Sequence, residues 1–211
     1  MTEQEWLACG DLWLMLEFLR TKASDRKLRL VLCAWSRWNW QGLVPQSRSA
    51  VEVAERFADR IATDLKREDA DAELLWTTQG GPRPVKHWLA RLTLEDSRDL
   101  WPAAHESISR NPKVQARQID VLRDVFGNPF RPPMDAARLA RNGVRVLRLA
   151  QGVYQERLLP EGTFDRTRLA ELADALEQAG CRNDDMLGHL RRQDRVHVRG
   201  CWVVDFVLNR A

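Results

Sequence analysis

The chain has 211 residues, of which 44% are hydrophobic, and its formal net charge is +3 at pH 7. A chain of this size can bury a core of its own, and no apolar run approaches the roughly 20 residues that a membrane-spanning helix needs. The nearly balanced charge gives no overall reason to expect a membrane or a nucleic acid as the partner.

The first 40 residues predict three helices. Thr2 and Glu5 have the spacing of a reciprocal helix cap, and Asp11 precedes a second apolar stripe. Ser24 then opens a longer central helix that we expect to reach Trp40. Its apolar face recurs every three or four residues, at Leu28, Val31, Leu32, Trp35 and Trp38. We expect its three arginines, Arg26, Arg29 and Arg37, to form a solvated strip.

The middle of the chain predicts further helices separated by turns. Ser47 or Ser49 is expected to open a long helix that continues to Leu65. Glycines and prolines then mark a candidate subdomain break near residues 77–84. Pro102 should lie at the beginning or at a kink of a helix, and Asn111 followed by Pro112 is a typical helix start.

The last third of the chain carries more helical stripes. Residues 126–133 contain a glycine and three prolines and predict a rigid turn, and Asn183 is expected to cap a short helix. Residues 196–210 have the β-branched content of a strand, but their uninterrupted length favours a buried helix. Together these patterns predict an all-α fold of roughly eight to ten helices in a single domain, residues 1–211.

The N-terminal residues lack the basic start and apolar stretch of a secretory signal, so we expect a cytoplasmic protein. The four cysteines are Cys9, Cys33, Cys181 and Cys201. Their wide scatter fits reduced, buried thiols better than a disulfide framework.

Four segments of the chain resemble segments of a known family. These are EWLAC at residues 5–9, ASDRKLRL at 23–30, FGNPFRP at 126–132 and HVRGCWVVD at 197–205. In this order, and over nearly the whole chain, they resemble a family of paralogous bacterial proteins without an assigned function. The resemblance supports a single helical unit and implies no activity. Trp35, Ser36 and Trp38 stand where it implies two cysteines and an arginine.

Two thiols and two imidazoles lie within 21 positions near the end of the chain. These residues are Cys181, His189, His197 and Cys201, and they are the types that hold zinc in a tetrahedral site. His197 and Cys201 would share one helical face at a spacing of four. The spacings are not those of a zinc finger, so ordinary packing and surface residues are the alternative interpretation.

Motifs for catalysis are absent from the sequence, which favours a protein that is not an enzyme. Asp205 is enclosed by four apolar residues, and a carboxylate there needs a partner. We interpret it as one half of a buried ion pair with an arginine, and an acid with a raised pKa is the alternative.

Residues 110–148 contain nine basic and three acidic side chains. Such a segment predicts either a nucleic-acid interface with Phe130 and Arg131 at its tip or a solvated basic face.

The leading functional hypothesis is a helical module that binds another protein, because nine tryptophans exceed the obvious needs of a core of this size. The tryptophans that we expect to be partly exposed are Trp13, Trp38, Trp40 and Trp76. The alternatives are nucleic-acid binding and a structural zinc site.

Overall fold

A computed structural model describes residues 1–77, 87–131 and 144–210. This part of the chain forms twelve α-helices, nine of which have seven residues or more, and contains only isolated β-bridges instead of strands. The helices are α1 (Glu3–Ala8), α2 (Leu12–Leu19), α3 (Asp25–Arg37), α4 (Pro45–Ala58), α5 (Asp64–Thr77), α6 (His87–Leu92), α7 (Leu100–Glu106), α8 (Pro112–Phe126), α9 (Val144–Gln155), α10 (Arg166–Gln178), α11 (Asp184–Arg191) and α12 (Trp202–Val207). The predicted all-α fold class is confirmed.

The chain divides into two compact units, Met1–Ile119 and Asp120–Ala211. The single-domain organisation stays a prediction, and the candidate break near residues 77–84 falls almost wholly outside the described residues. No helix in the described ranges combines the length and the apolar character needed to cross a bilayer.

The predicted central helix is α3, which ends at Arg37 instead of Trp40 and belongs to the first unit. The Ser24 hydroxyl accepts the Lys27 backbone N–H at its start, and ten of its thirteen residues are buried. It packs against α4, α6 and α7. The local caps at Thr2, Asp11 and Asn111 are also confirmed.

The predicted solvated strip on α3 is wrong. Even its most accessible member, Arg26, has a side chain only 14% exposed and pairs with Asp59 at 3.0 Å. Arg37 is buried, with Nε and Nη2 lying 2.6 Å and 2.9 Å from the two carboxylate oxygens of Glu55. Arg29 is also buried, and its guanidinium donates to the backbone carbonyls of Thr93 and Glu95. A spacing pattern cannot distinguish a solvated arginine from one whose donors are satisfied inside the protein.

The predicted helix from Ser47 or Ser49 to Leu65 is two helices. Helix α4 begins at Pro45, where the missing N–H of proline is not needed, and Ser47 is buried within its first turn. The helix ends at Ala58, because Arg60 has a φ of 60° that no α-helix contains.

The second unit contains the end of α8 together with α9 to α12, and these last four helices surround its apolar core. Asp165 and Asn183 cap α10 and α11 through backbone N–H groups, and Gly180, with a φ of 93°, ends α10. Gly180 and Asn183 thus mark the short connection between the two helices, which pack against each other.

Of the predicted helix over residues 196–210, only Trp202–Val207 is helical, so the prediction is wrong on both sides of that segment. The backbone N–H of Phe164 donates to the carbonyl of His197 at 2.8 Å, and Thr163 and Val198 form a β-bridge. A turn follows, closed by a 2.9 Å hydrogen bond from Cys201 N–H to the Val198 carbonyl, with Gly200 at a φ of 94°. Helix α12 therefore begins only at Trp202.

We expect loss of one partner of the buried Arg37–Glu55 pair to destabilise the protein strongly. Glu55→Ala leaves the guanidinium without its carboxylate and should cost about 3–5 kcal/mol in unfolding free energy. Arg20→Gln, which removes an exposed pair with Glu17, should cost less than about 1 kcal/mol. Urea denaturation of both variants checks this, and equal losses would contradict the special role of the buried pair.

Candidate metal centre

Four potential metal ligands converge inside the second unit. One ligand atom from each of Asp124, His189, His197 and Cys201 lies within 4.8 Å of the other three. Oδ1 of Asp124 is 2.6 Å from Nδ1 of His197 and 3.0 Å from Nε2 of His189. Sγ of Cys201 is 3.3 Å from Nε2 of His189 and 3.9 Å from Nδ1 of His197.

These separations are close to those of a tetrahedral zinc site. Bonds of about 2.0–2.3 Å place neighbouring ligand atoms about 3.3–3.7 Å apart. Four of the six separations extend from 2.6 to 3.9 Å, on both sides of that range, and all six are within 4.8 Å. Admission of an ion requires the two closest pairs, Asp124 with each histidine, to move apart.

Three separate parts of the chain supply the ligands. Asp124 lies in the last turn of α8, His189 lies on α11, and His197 and Cys201 lie on either side of the turn that precedes α12. The turn brings these last two residues together, because the 2.9 Å hydrogen bond from Cys201 to Val198 reverses the chain between them.

The Asp124 carboxylate is buried and ionised. Burial alone would raise its pKa, but the charge of His197 and hydrogen bonds from both histidines outweigh burial and hold the pKa well below its usual range. Its second oxygen accepts the backbone N–H of Val198 at 2.8 Å. This bond orients the carboxylate so that Oδ1 faces the other ligands.

At His189 and Cys201 burial is the largest effect on the pKa, and it favours the uncharged form of each side chain. It lowers the pKa of His189, partly against the hydrogen bond to Asp124, and thus favours the neutral ring that can bind a metal. Burial and the nearby Asp124 charge raise the pKa of the Cys201 thiol well above its usual value. Without a cation this thiol therefore stays protonated.

A Cys–His–Asp catalytic triad does not fit this geometry. In a triad the acid and the nucleophile contact opposite nitrogens of the histidine. Here Asp124 and Cys201 both contact Nε2 of His189, and Cys201 is completely buried. Within the described residues, Nε2 of His197 has no hydrogen-bond partner, so the hydrogen bond of that ring is made to Asp124 of the cluster through Nδ1. The four side chains converge on one point instead of forming a relay.

A wall formed by the Trp202 indole and the Arg131 guanidinium lies beside the cluster. The Trp202 ring centroid is 5.3 Å from that of His189, and the guanidinium of Arg131 lies 4.8 Å from the Trp202 centroid. Arg131 also pairs with Asp185 at 3.0 Å. Gly127 permits the close approach of the wall, because a Cβ atom added there would lie only 2.8 Å from the Trp202 ring.

The structure brings together three of the four predicted metal ligands and replaces the fourth. Cys181 is buried in the apolar core of the second unit and is not among the four converging residues. Asp124 takes its place. The sequence offers a weaker signal for Asp124 than for Asp205, because Val121, Leu122 and Val125 are apolar but the charged Arg123 directly precedes Asp124. Asp205 is also buried, and it interacts with at least one other group.

The tryptophans predicted to contact a partner differ in exposure. Trp13 and Trp76 are 52% and 72% exposed. Trp38 and Trp40 are partly buried, each beneath an arginine, at 4.6 Å from Arg117 and 4.5 Å from Arg37. Phe130 is partly exposed, whereas Arg131 belongs to the wall beside the metal ligands. Binding of a protein partner at these residues stays a prediction.

The described residues of the basic segment 110–148 do not belong to one continuous stretch or to one unit of the fold. Residues 132–143 lie outside the described part of the chain, and the rest divides between the two units. Several of its basic side chains have local partners: Arg131 pairs with Asp185, and Arg145 donates to Gln178 at 3.1 Å. Nucleic-acid binding therefore stays a prediction.

Comparison with profiles of known families, with curated proteins and with solved structures found no match. The resemblance to a bacterial paralogous family likewise stays a prediction. The candidate metal centre is thus argued from its own geometry alone.

We expect Gly127→Ala to be more destabilising than Gly180→Ala. Both glycines have positive φ, so both variants should lose about 1–2 kcal/mol through backbone strain. Only at Gly127 does the new methyl group also displace the Trp202 ring, since nothing lies within 4 Å of the corresponding position at Gly180. Thermal and urea unfolding measure the two losses, and equal values would contradict a tight Gly127–Trp202 contact.

Proposed function

We propose that the protein is a non-enzymatic helical module whose second unit is stabilised by a structural zinc ion. The ligands are Asp124, His189, His197 and Cys201. The observation that carries the proposal is the convergence of their four ligand atoms within 4.8 Å, in the interior of one compact unit.

The chemistry of the ligand set favours zinc among the common cations. One thiolate, two imidazoles and one carboxylate suit a borderline ion such as Zn²⁺, whereas Ca²⁺ and Mg²⁺ prefer oxygen ligands. The charges also balance. A dipositive ion with the carboxylate of Asp124 and the thiolate of Cys201 is neutral, which reduces the cost of burying the site.

A structural role fits better than a catalytic one because four protein ligands fill a tetrahedral coordination sphere. A catalytic zinc keeps one position for water or substrate. Three of the four ligands are buried, and the ligands come from α8, α11 and the turn before α12. Zinc would tie these three parts together and contribute its binding free energy to folding.

The role of the complete protein is proposed to be binding of another protein. The exposed indoles of Trp13 and Trp76 support this, because tryptophan is enriched at interfaces and costly to leave in water. A cytoplasmic location is proposed with it, supported by four cysteines that form no disulfide.

We expect the purified full-length chain to bind one equivalent of zinc. Elemental analysis after dialysis against a weak chelator measures the stoichiometry. Loading with Co²⁺ should give the visible bands of a tetrahedral ion and a thiolate-to-cobalt charge-transfer band, because Cys201 is one of the ligands. A protein that binds neither metal would refute the proposal.

Two buried cysteines of the same unit provide a matched control. Cys201→Ser should lose the charge-transfer band and most of the bound zinc, whereas Cys181→Ser should keep both, since Cys181 lies in the apolar core. Asp124→Asn should also weaken binding. Zinc loss from Cys181→Ser with retention in Cys201→Ser would contradict this ligand assignment.

Removal of the metal should lower the stability of the wild-type protein. At a free zinc concentration 100 times the dissociation constant, binding adds about 2.7 kcal/mol to the unfolding free energy. Thermal unfolding with zinc and with excess chelator measures the difference. Asp124→Asn should have nearly the same melting temperature in both conditions, and a chelator effect as large as in the wild type would argue against the site.

A further inference from the structure

The four proposed ligands differ in their access to solvent. The side chains of Asp124, His197 and Cys201 are almost completely buried, whereas that of His189 is 15% exposed. Water or a competing chelator can therefore approach the cluster most directly along His189. What covers this side chain determines how easily a bound metal can leave.

Trp202 lies beside His189 and is fixed from several directions. Its ring is 5.3 Å from the His189 ring, and its place in the chain directly after Cys201 ties it to the cluster. The ring packs directly against the backbone of Gly127, where a residue with a Cβ atom would clash with it. The guanidinium of Arg131 stacks on the ring at 4.8 Å.

Arg131 connects this ring back to the helix that carries His189. Its Nη2 atom lies 3.0 Å from Oδ2 of Asp185, and Asp185 and His189 are both on α11. The carboxylate of Asp185 is largely exposed, so this ion pair is weak in water. Stacking of the guanidinium on the indole is the stronger of the two contacts.

We infer that Trp202 is a cover that slows the release of the metal, and that Arg131 is the positioning residue that holds the cover over His189. The inference rests on the proposed zinc site. Neither side chain is a ligand. Their loss should therefore change the rate at which metal leaves without changing the ligand set.

The test measures zinc release from the loaded full-length protein to an excess of the chromophoric chelator 4-(2-pyridylazo)resorcinol. Arg131→Gln removes the stacking and the ion pair, and Trp202→Leu removes the cover. Each should release zinc roughly tenfold faster than the wild type, the factor that corresponds to loss of about 1.4 kcal/mol of cation–π and packing contacts. Both should retain the tetrahedral Co²⁺ spectrum of the wild type.

Two further variants separate the cover from general effects of charge. Arg168→Gln removes an arginine that forms an exposed pair with Glu156 in the same unit, and it should release zinc at the wild-type rate. Asp185→Asn keeps the stacking and removes only the ion pair, so its effect should be smaller than that of Arg131→Gln. An equal effect would overturn the assignment to stacking.

The outcomes distinguish this inference from the proposal beneath it. A wild-type protein that takes up no zinc would overturn both. If the wild type binds one equivalent of zinc but Arg131→Gln and Trp202→Leu release it at the wild-type rate, the role of Trp202 as a cover is refuted. The zinc site itself is then still supported. If Trp202→Leu fails to fold, as judged by circular dichroism, Arg131→Gln decides the question, because Arg131 is partly exposed.

Discussion

The second unit depends on one buried carboxylate. Asp124 is ionised in the interior, and that state requires partners that offset the loss of water. The partners are the two imidazoles and the Val198 N–H, so they fix the end of α8 against α11 and against the turn before α12. In the absence of metal these contacts satisfy the carboxylate by hydrogen bonding. The same convergence forms the candidate metal centre.

The first unit also contains a buried carboxylate that must be paired, but its partner is different. The Glu55 carboxylate is also buried, but it meets the planar guanidinium of Arg37, whose Nε and Nη2 contact its two oxygens. Two guanidinium nitrogens thus meet two carboxylate oxygens, whereas at Asp124 both histidines contact the single oxygen Oδ1. At Asp124 the partners are imidazoles, which can act as hydrogen-bond donors or as metal ligands, and a thiol lies beside them. The chemical nature of the partners therefore distinguishes the Arg37–Glu55 ion pair from the candidate metal centre.

Features that depend on neighbouring residues were predictable from the sequence, and those that depend on distant ones were predictable only in part. The caps at Ser24 and Asn183 were expected because a capping side chain acts within three residues. The closeness of His197 and Cys201 was expected, although a turn and not a helix brings them together. Asp124 was missed because it lies 65 positions before His189, and spacing rules do not extend over such a distance. Cys181 was included in the prediction but lies outside the converging group, because nearness along the chain is not nearness in space.

The turn at Gly200 makes the number of residues between His197 and Cys201 more important than their identity. Only backbone atoms close the turn, and Gly200 supplies the left-handed φ. Substitution at Arg199 would leave this backbone path intact, whereas an inserted or deleted residue would move Cys201 away from the other three ligands. Related chains that keep the centre should therefore be recognisable by a histidine, two variable positions, a glycine and a cysteine, with a second histidine eight positions earlier and a more distant aspartate. A gap within that short segment would mark the loss of the site during divergence, even where the surrounding helices persist.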